Sequence, residues 1–277
     1  MGDLTVKAWK KHGRDRLYVN DAGGSPVAWL DQVTGHLELL RPESRAEVLK
    51  ALARHVPRET CAEPRRPPLP PLTDADDLAR NRPGASLKEK LDAEGPGPAR
   101  RLLDAMLRRP SEWDSWRKGL EGERKVGREL RRFLGHGWQV LHSVPLPPRH
   151  DIDHLLIGPG GVFTLNTKNF RGRRIWVGDD VVKVDHGQGR PIPRKARRES
   201  ERAAGTLSAH CGFPVTVTPL LVFVRPAALE RATPHQKVRA YDDRGLAALA
   251  HDNGVLNAQQ VAHIYAAARH RHTWRTA

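Results

Sequence analysis

The first 40 residues alternate apolar and polar positions in short runs that turn signals separate. An alternation with a period of two is typical of half-buried β-strands. Turns are indicated at 20–24 and 34–35, and apolar residues at helical spacing follow at 43–54. The pattern predicts four strands, at 4–9, 15–19, 27–31 and 36–40. We therefore expect residues 1–55 to form a small β-meander module with one short helix.

Residues 56–98 interrupt this pattern. They contain nine of the 22 prolines, including the run Pro67-Pro68-Leu69-Pro70-Pro71. Proline has no backbone N–H and a fixed φ, so sustained helix or sheet is not expected there. The composition predicts a semi-rigid, proline-rich linker over 56–98.

Helical and strand patterns alternate again in the remaining residues, 99–277. A long apolar stripe at helical spacing covers 113–134, and the run 215–224 indicates a buried strand. Further helices are predicted at 99–109, 193–210, 245–250 and 258–270, and further strands at 138–144, 152–157, 161–168, 173–177, 181–184 and 237–241. This order predicts an α/β domain with a three-layer core and a mixed central sheet.

The chain is strongly basic, with 47 Lys and Arg against 32 Asp and Glu and a formal charge of +15. Such a charge favours a polyanionic partner, although a merely solvated basic surface would give the same count. Nucleic acid is favoured over a membrane, because no basic helix also carries a bulky apolar face. DNA is preferred to RNA as the expected partner, and the oligomeric state stays open.

Several classes of protein are excluded. The longest nearly apolar run, 215–224, is too short to span a bilayer, and no secretory signal is visible at the N-terminus. Cys61 and Cys211 are far apart, which excludes a disulfide scaffold and a cysteine-rich zinc site and favours a reducing cytoplasm. No P-loop, dinucleotide-binding or nucleophile-elbow motif occurs.

Candidate chemistry lies on two predicted strands, 151–157 and 161–169, which a glycine-rich turn joins. We expect the strands to pair antiparallel, with Asn166 and Lys168 on one face. A carboxylate such as that of Asp153 would then converge with them. Phosphodiester hydrolysis needs such a set, because carboxylates hold Mg²⁺, which activates water, and a lysine stabilises charge on the phosphate.

Four motifs strengthen this interpretation: Gly122-Glu123-x-x-Val126, Asp151-Ile152-Asp153-His154, Ile157-Gly158-Pro159-x-Gly161-Val162-Phe163, and Thr167-Lys168-Asn169 with Gly172. Together they make residues 119–226 resemble the nuclease-related domain (NERD) family of the PD-(D/E)xK endonuclease-like superfamily. The resemblance implies a restriction-endonuclease-like core and a nuclease that depends on Mg²⁺ or Mn²⁺. It assigns Asp153 as the central metal ligand, Lys168 as the motif lysine, and Glu123 as the helix glutamate that completes the metal site.

The sequence departs from the superfamily pattern at Asn166, where an acid is expected two residues before the lysine. An amide offers a metal one oxygen and no charge. The metal would then rely on Asp153, Glu123, a backbone carbonyl near Thr167 and substrate, or on an acid that has migrated to the following helix. Glu199 is the candidate for that acid, although a plain ion pair with Lys195 competes with this role. Loss of catalysis is the third possibility.

The same helix carries a basic cluster, Arg194, Lys195, Arg197 and Arg198. We expect it to contact nucleic-acid phosphates, against the alternative of a solvated helix face. His150 and His154 have the spacing of a zinc pair, but structural roles are favoured because no third ligand is placed.

Three functions remain open at this point. The first is a metal-dependent nuclease that hydrolyses phosphodiester bonds of DNA or RNA. The second is a catalytically degenerate nucleic-acid-binding protein with a nuclease-like fold, which Asn166 favours. The third is an interaction scaffold that recruits a partner through the β-meander and the proline-rich segment.

Overall fold

The computed structural model describes residues 4–11, 14–31, 37–41, 45–52, 68–94, 112–148, 150–233 and 236–275. The chain divides into two compact units, Met1–Pro64 and Arg65–Ala277. In the described part of the chain, no helix has the length and apolarity needed to cross a membrane.

The first unit contains an antiparallel four-stranded sheet and one helix. Its strands follow one another in chain order: β1 Thr5–Lys11, β2 Arg14–Asn20, β3 Pro26–Asp31 and β4 Leu37–Leu39. Helix α1, Arg45–Leu52, contributes Val48 and Leu52 to a core that also holds Leu17, Val19 and Ala28. The predicted β-meander with a short helix is confirmed.

The second unit has a mixed five-stranded sheet, whose strands are β5 Gln139–Leu146, β6 His150–Gly158, β7 Gly161–Lys168, β10 Val217–Phe223 and β12 Arg239–Asp242. In space they follow the order β12-β10-β7-β6-β5. β10 runs parallel to both β7 and β12, whereas β6 runs antiparallel to both β5 and β7.

A smaller three-stranded sheet, in the order β11-β8-β9, belongs to the same unit. Its strands are β8 Arg174–Val177, β9 Val182–Val184 and β11 Ala228–Arg231. Strand β11 was not predicted, because its four residues are too few and too polar for an alternating pattern to register.

Helices cover both faces of the large sheet. On one face, helix α3, Glu112–Leu130, packs Val126 and Leu130 in one cluster with Leu156, Phe163 and Leu165. The opposite face carries helices α4, Ile192–Cys211, and α5, Ala258–Ala268. There Ala203, Leu207, Val261 and Ile264 share a core with Leu155, Ile157 and Val162. The predicted three-layer α/β class is confirmed.

Residues 68–94, which we call the strap, correct the predicted linker. Leu78 is fully buried in the core of the second unit, and its N–H donates to the Arg269 carbonyl at 2.8 Å. Asp77 forms an ion pair with Arg269, and Asn81 Nδ2 donates to the carbonyls of His142 and Ser143 at 3.1 and 3.0 Å. The strap ends in helix α2, Ala85–Glu94. Residues 56–67 and 95–98, and the helix predicted at 99–109, lie outside the described residues.

The packing of the strap can be tested with two leucines. Leu78→Ala should lower the free energy of unfolding by about 2–5 kcal/mol, because it leaves a cavity in a closed core. Leu72→Ala is the matched control, since Leu72 is 42% exposed in the same segment, and it should change stability by less than about 0.5 kcal/mol. The measurement is chemical denaturation followed by circular dichroism. Equal, small effects at both positions would show that the strap behaves as a linker.

Candidate nuclease site

The centre of the site is the carboxylate of Asp153 at the end of the β6–β7 ladder. The register pairs His154 with Leu165, which places Asp153 beside Asn166 on the neighbouring strand. Asp153 Oδ2 accepts a hydrogen bond from the Thr167 N–H at 2.6 Å. Lys168 Nζ donates to the Thr167 carbonyl at 3.2 Å. The backbone of Thr167 therefore holds the motif aspartate and the motif lysine together.

Helix α4 brings Glu199 to this point. Its buried stripe, which includes Ala196, Ser200 and Ala203, faces the sheet and turns Glu199 inward. Asn166 Nδ2 lies 3.5 Å from Glu199 Oε2. Among the described residues, Glu199 forms no ion pair with Lys195, which was the competing interpretation of this glutamate.

Helix α3 brings Glu123 to the other side of Asp153. A Cβ on Gly122 would lie 3.2 Å from Asn169 Cβ and 3.4 Å from Thr167 Cγ2, so the helix rests closely against the end of β7. Glu123 is only 7% exposed, and the Gly84 backbone of the strap favours the charged form of its carboxylate. The glutamate predicted to face the sheet is thus buried beside it.

The Asp153 carboxylate disfavours negative charge on both glutamates. Burial, reinforced by the nearby Asp153 carboxylate, raises the pKa of Glu123 to about 9 and that of Glu199 to about 8. Burial also raises the pKa of Asp153. The Lys168 ammonium opposes each of these pKa shifts, and Arg202 also opposes that of Glu199, but these two cations do not outweigh the burial of three carboxylates.

Unpaired oxygens suggest where a cation would fit. Asn166 Oδ1 and Glu199 Oε1 are both buried without a hydrogen-bond partner among the described residues. They stand beside Asp153, and oxygen donors of this kind suit Mg²⁺ or Mn²⁺. However, no three His, Cys, Asp or Glu side chains in the described ranges are placed to hold one metal together. Asn166 and Glu199 would therefore be the ligands that receive a cation beside Asp153, whereas Glu123 lines a separate small cavity together with Asp153.

Two openings flank the site. A groove of about 960 Å³ reaches Lys168 and Thr167. A cavity of about 180 Å³ reaches Glu123 and Asp153 and is also lined by Asp151, Ser143, His150 and, from the strap, Ser86, Leu87 and Lys90. The Thr167–Asp153 hydrogen bond therefore separates a large groove from a small acidic cavity.

The groove is basic, but its cations are mostly not the predicted ones. Of the four predicted side chains only Lys195 lines it, whereas Arg194 and Arg198 are exposed outside it and Arg197 is held by Asp180 at 2.6 Å. The other cations in the lining are Lys118, Lys168, Arg171, Arg173 and Arg190. They come from α3, from the last residue of β7 and the segment after it, and from the segment before α4. Only Arg171 and Arg173 follow the motif lysine closely in the sequence, so these two were the cations that sequence reasoning could have found.

The two histidines with zinc-like spacing are separated. His154 is fully buried, and its Nδ1 lies 2.8 Å from Nδ1 of His142, whereas His150 is exposed at the small cavity. Burial lowers the pKa of His154 and lowers that of His142 to about 4. This buried pair is neutral and belongs to the interior.

A mixed sheet between two helical layers, with carboxylates and a lysine meeting at its strand ends, defines a nuclease-like α/β unit. The family model described as nuclease-related domain (NERD) matches residues 118–224 and confirms the resemblance drawn from the motifs. The match covers less than half of the chain and leaves out the strap and the first unit. Comparison with curated proteins and with solved structures returns no match.

The raised pKa of Glu199 predicts a distinctive pH profile. Between its ordinary pKa of 4.5 and about 8, the folded protein holds a proton that the unfolded chain has released, so stability falls as the pH rises through this range. In EDTA, Glu199→Gln should raise the free energy of unfolding at pH 8 by about 2–4 kcal/mol and flatten the profile. Glu201→Gln, an exposed glutamate on the same helix, is the control. Identical profiles for the two variants would contradict the burial of a charged Glu199.

Proposed function

We propose that the α/β unit is a metal-dependent nuclease that hydrolyses phosphodiester bonds of DNA or RNA, with DNA preferred. The observation that carries the proposal is the convergence of Asp153, Glu199 and Lys168 at the end of β7. The carboxylates are desolvated, the Lys168 ammonium is the cation that stabilises the charge of both, and two oxygens beside Asp153 have no hydrogen-bond partner among the described residues. Such an arrangement is costly for folding and is expected where chemistry requires it.

Asp153, Glu199 and the Asn166 amide oxygen would hold the cation. Glu199 would thereby replace the acid that the superfamily pattern places at position 166, and Glu123 would add negative charge from the other side of Asp153. A bound Mg²⁺ or Mn²⁺ supplies polarisation of the phosphate and a water of lowered pKa. The Thr167 N–H contributes by fixing the orientation of the Asp153 carboxylate.

Lys168 acts on the substrate side. Its ammonium group lies on the groove wall, and its bond to the Thr167 carbonyl at 3.2 Å fixes its reach. A phosphate in the groove would meet this charge first. Lys168 would stabilise the negative charge that develops on the phosphate during attack by water.

The groove would hold the rest of the nucleic acid. Lys118, Arg171 and Lys195 line it and form no side-chain hydrogen bond or ion pair within the described ranges. Their charges are thus available for phosphates on both sides of the scissile bond. Arg173 is less available, because it is paired with Asp185.

A catalytically degenerate nucleic-acid-binding protein is the second candidate. Asn166 favours it, since the strand lacks one negative charge of the superfamily pattern. The separation of Glu123 from the Asp153–Glu199 side favours it as well. The two candidates share the groove and differ only in whether the acids support hydrolysis.

The two acids can be tested as a pair. Glu199→Ala should reduce cutting about 10²–10³-fold in the wild-type background, because the cation loses a ligand. In the Asn166→Asp background the same change should cost less than about tenfold, because the strand then supplies the missing charge. The measurement is cleavage of labelled single- and double-stranded DNA and RNA with Mg²⁺ or Mn²⁺.

Three control variants accompany this double-mutant comparison. Asp153→Ala and Lys168→Ala should be inactive in both backgrounds while their thermal unfolding stays cooperative, and Glu201→Ala should cut like wild type. Equal losses from Glu199→Ala in both backgrounds would exclude the migrated acid. If neither wild type nor Asn166→Asp cuts any substrate, the binding protein replaces the nuclease.

The lining of the groove predicts which cations make the affinity for DNA depend on salt. In an Asp153→Ala background, Lys118→Ala, Arg171→Ala and Lys195→Ala should each weaken binding to duplex DNA about tenfold and reduce the slope of log Kd against log salt by about 1. Arg194→Ala and Arg198→Ala remove equal charge from exposed positions outside the groove and should change Kd less than about twofold. Fluorescence anisotropy over a salt series measures both quantities. Equal losses from the two sets would show that only net charge matters.

A further inference from the structure

Three planar side chains contact one another in series between the core and the wall of the basic groove. Phe223, at the end of β10, is fully buried. The Phe170 ring stacks on it with centroids 6.2 Å apart and an angle of 22° between the planes. The exposed Arg190 guanidinium lies over the Phe170 ring, 5.4 Å from its centroid. Phe170 and Arg190 line the same groove as Lys168, so the series ends in a cation on the substrate side of the site.

A tight turn connects the Phe170 ring to the motif lysine. The Phe170 N–H donates to the Lys168 carbonyl at 3.2 Å, and the Phe170 carbonyl accepts from the Arg173 N–H at 3.1 Å. Gly172 lies in this turn with a φ of 72°, a left-handed conformation that glycine adopts without strain. Because the turn fixes Phe170, its ring sets the position of the Arg190 guanidinium relative to Lys168.

The Arg190 side chain is not needed to hold its own segment. The Arg190 N–H donates to the Val182 carbonyl at 2.9 Å, and the Arg190 carbonyl accepts from the Val182 N–H at 2.9 Å. These two backbone bonds fix the segment before α4 whatever the side chain is. In the described part of the chain, the guanidinium contacts the Phe170 ring and forms no ion pair. Its N–H donors are therefore available to a ligand in the groove.

The other two arginines of the groove lack this arrangement. Arg173 is paired with Asp185, and Arg171 has neither a ring nor an acid as a partner among the described residues. Glu121 is the one acidic side chain in the lining, against six cations, and within the described ranges it forms no ion pair with Arg190. A ligand therefore meets a surplus of positive charge, in which a ring holds the guanidinium of Arg190 in place.

A guanidinium that rests on a ring is well suited to bind phosphate. When the ring contacts its flat face, the N–H donors at its edge stay free for two parallel hydrogen bonds to phosphate oxygens. The contact also restricts the side chain before the ligand arrives, which lowers the entropic cost of binding. A lysine ammonium has neither the flat face nor the paired donors.

We infer that Arg190 binds a backbone phosphate that flanks the scissile phosphate, and that Phe170 is its positioning residue. Lys168 faces the phosphate under attack, and Arg190 holds a neighbouring phosphate at a distance that the turn at Phe170 sets. Together the two contacts select which phosphate of the nucleic acid stands at Asp153. The inference rests on the proposed function in one respect, because it takes the groove as the surface that binds nucleic acid.

The test of Arg190 uses the full chain with Asp153→Ala in EDTA, so that no DNA is cut, and a labelled duplex of about 15 base pairs. Arg190→Gln should weaken binding about 20-fold and reduce the slope of log Kd against log salt by about 1. Arg190→Lys keeps the charge, so the slope should stay unchanged while the affinity still falls about fivefold. Arg171→Lys makes the same change in the groove at an arginine without a ring, and it should weaken binding only about twofold.

Phe170 is tested through its effect on Arg190. Phe170→Leu keeps an apolar side chain against Phe223 but removes the ring, and it should weaken binding about fivefold at an unchanged salt slope. In the Arg190→Gln background the same change should cost less than about 1.5-fold, because the ring acts through the guanidinium. Phe170→Tyr keeps the ring and should bind within about twofold of the parent chain. Thermal unfolding checks that each variant is folded at the temperature of the anisotropy measurement.

Two outcomes would overturn the inference. One is the affinity of the parent chain in Arg190→Gln or in Arg190→Lys. The other is an equal loss from Phe170→Leu in both backgrounds, which would show that the ring only supports the groove wall. The proposed nuclease is judged separately, by cutting with the wild-type chain. If Lys118, Arg171 and Lys195 contribute to binding and Arg190 does not, the inference about Arg190 fails and the nuclease stands.

Discussion

The hydrogen bond from the Thr167 N–H to Asp153 ties the elements of the site to one another. It forms only because β6 and β7 pair antiparallel through a glycine turn, which sets Asp153 beside the end of β7. Lys168 follows directly, and its ammonium is anchored on the carbonyl of the same Thr167. Gly122 lets α3 approach this strand end closely, and α4 closes it from the opposite face. A shift of register by one residue would send Asp153 to the wrong side of the sheet.

Electrostatics then make the site a compromise between folding and chemistry. Glu123 and Glu199 are buried near Asp153, and their raised pKa values of about 9 and 8 express how poorly the fold tolerates their charge. Replacing the two glutamates by glutamine would relieve this repulsion and would also remove two of the charges that could hold a cation. Stability and cation binding therefore pull these positions in opposite directions, which is typical of functional sites.

Local patterns predicted most of the fold and part of the site. Alternation and the glycine turn predicted β6 and β7, and helical spacing placed Glu123 on the inward stripe of α3. The strap was missed because its fixed position depends on Leu78 and Asp77 contacting residues near Arg269, almost 200 positions away, which local composition cannot register. The groove was only partly predicted, because Lys118, Arg171 and Arg190 come from three separate segments that only the folded sheet brings together.

An amide at position 166 is electrostatically more compatible with the neighbouring Glu199 than a carboxylate would be. A second carboxylate at position 166 would stand 3.5 Å from Glu199, where two charges would repel strongly in a desolvated site. An amide at this position offers an oxygen without charge, and its N–H group can face the glutamate. Under the proposed function, an acid on the helix at Glu199 would replace the acid that the strand lacks, so the number of carboxylates beside Asp153 would stay the same. The amide at Asn166 and the inward turn of Glu199 would then be two parts of one arrangement, because the amide can donate to the glutamate that takes over its role.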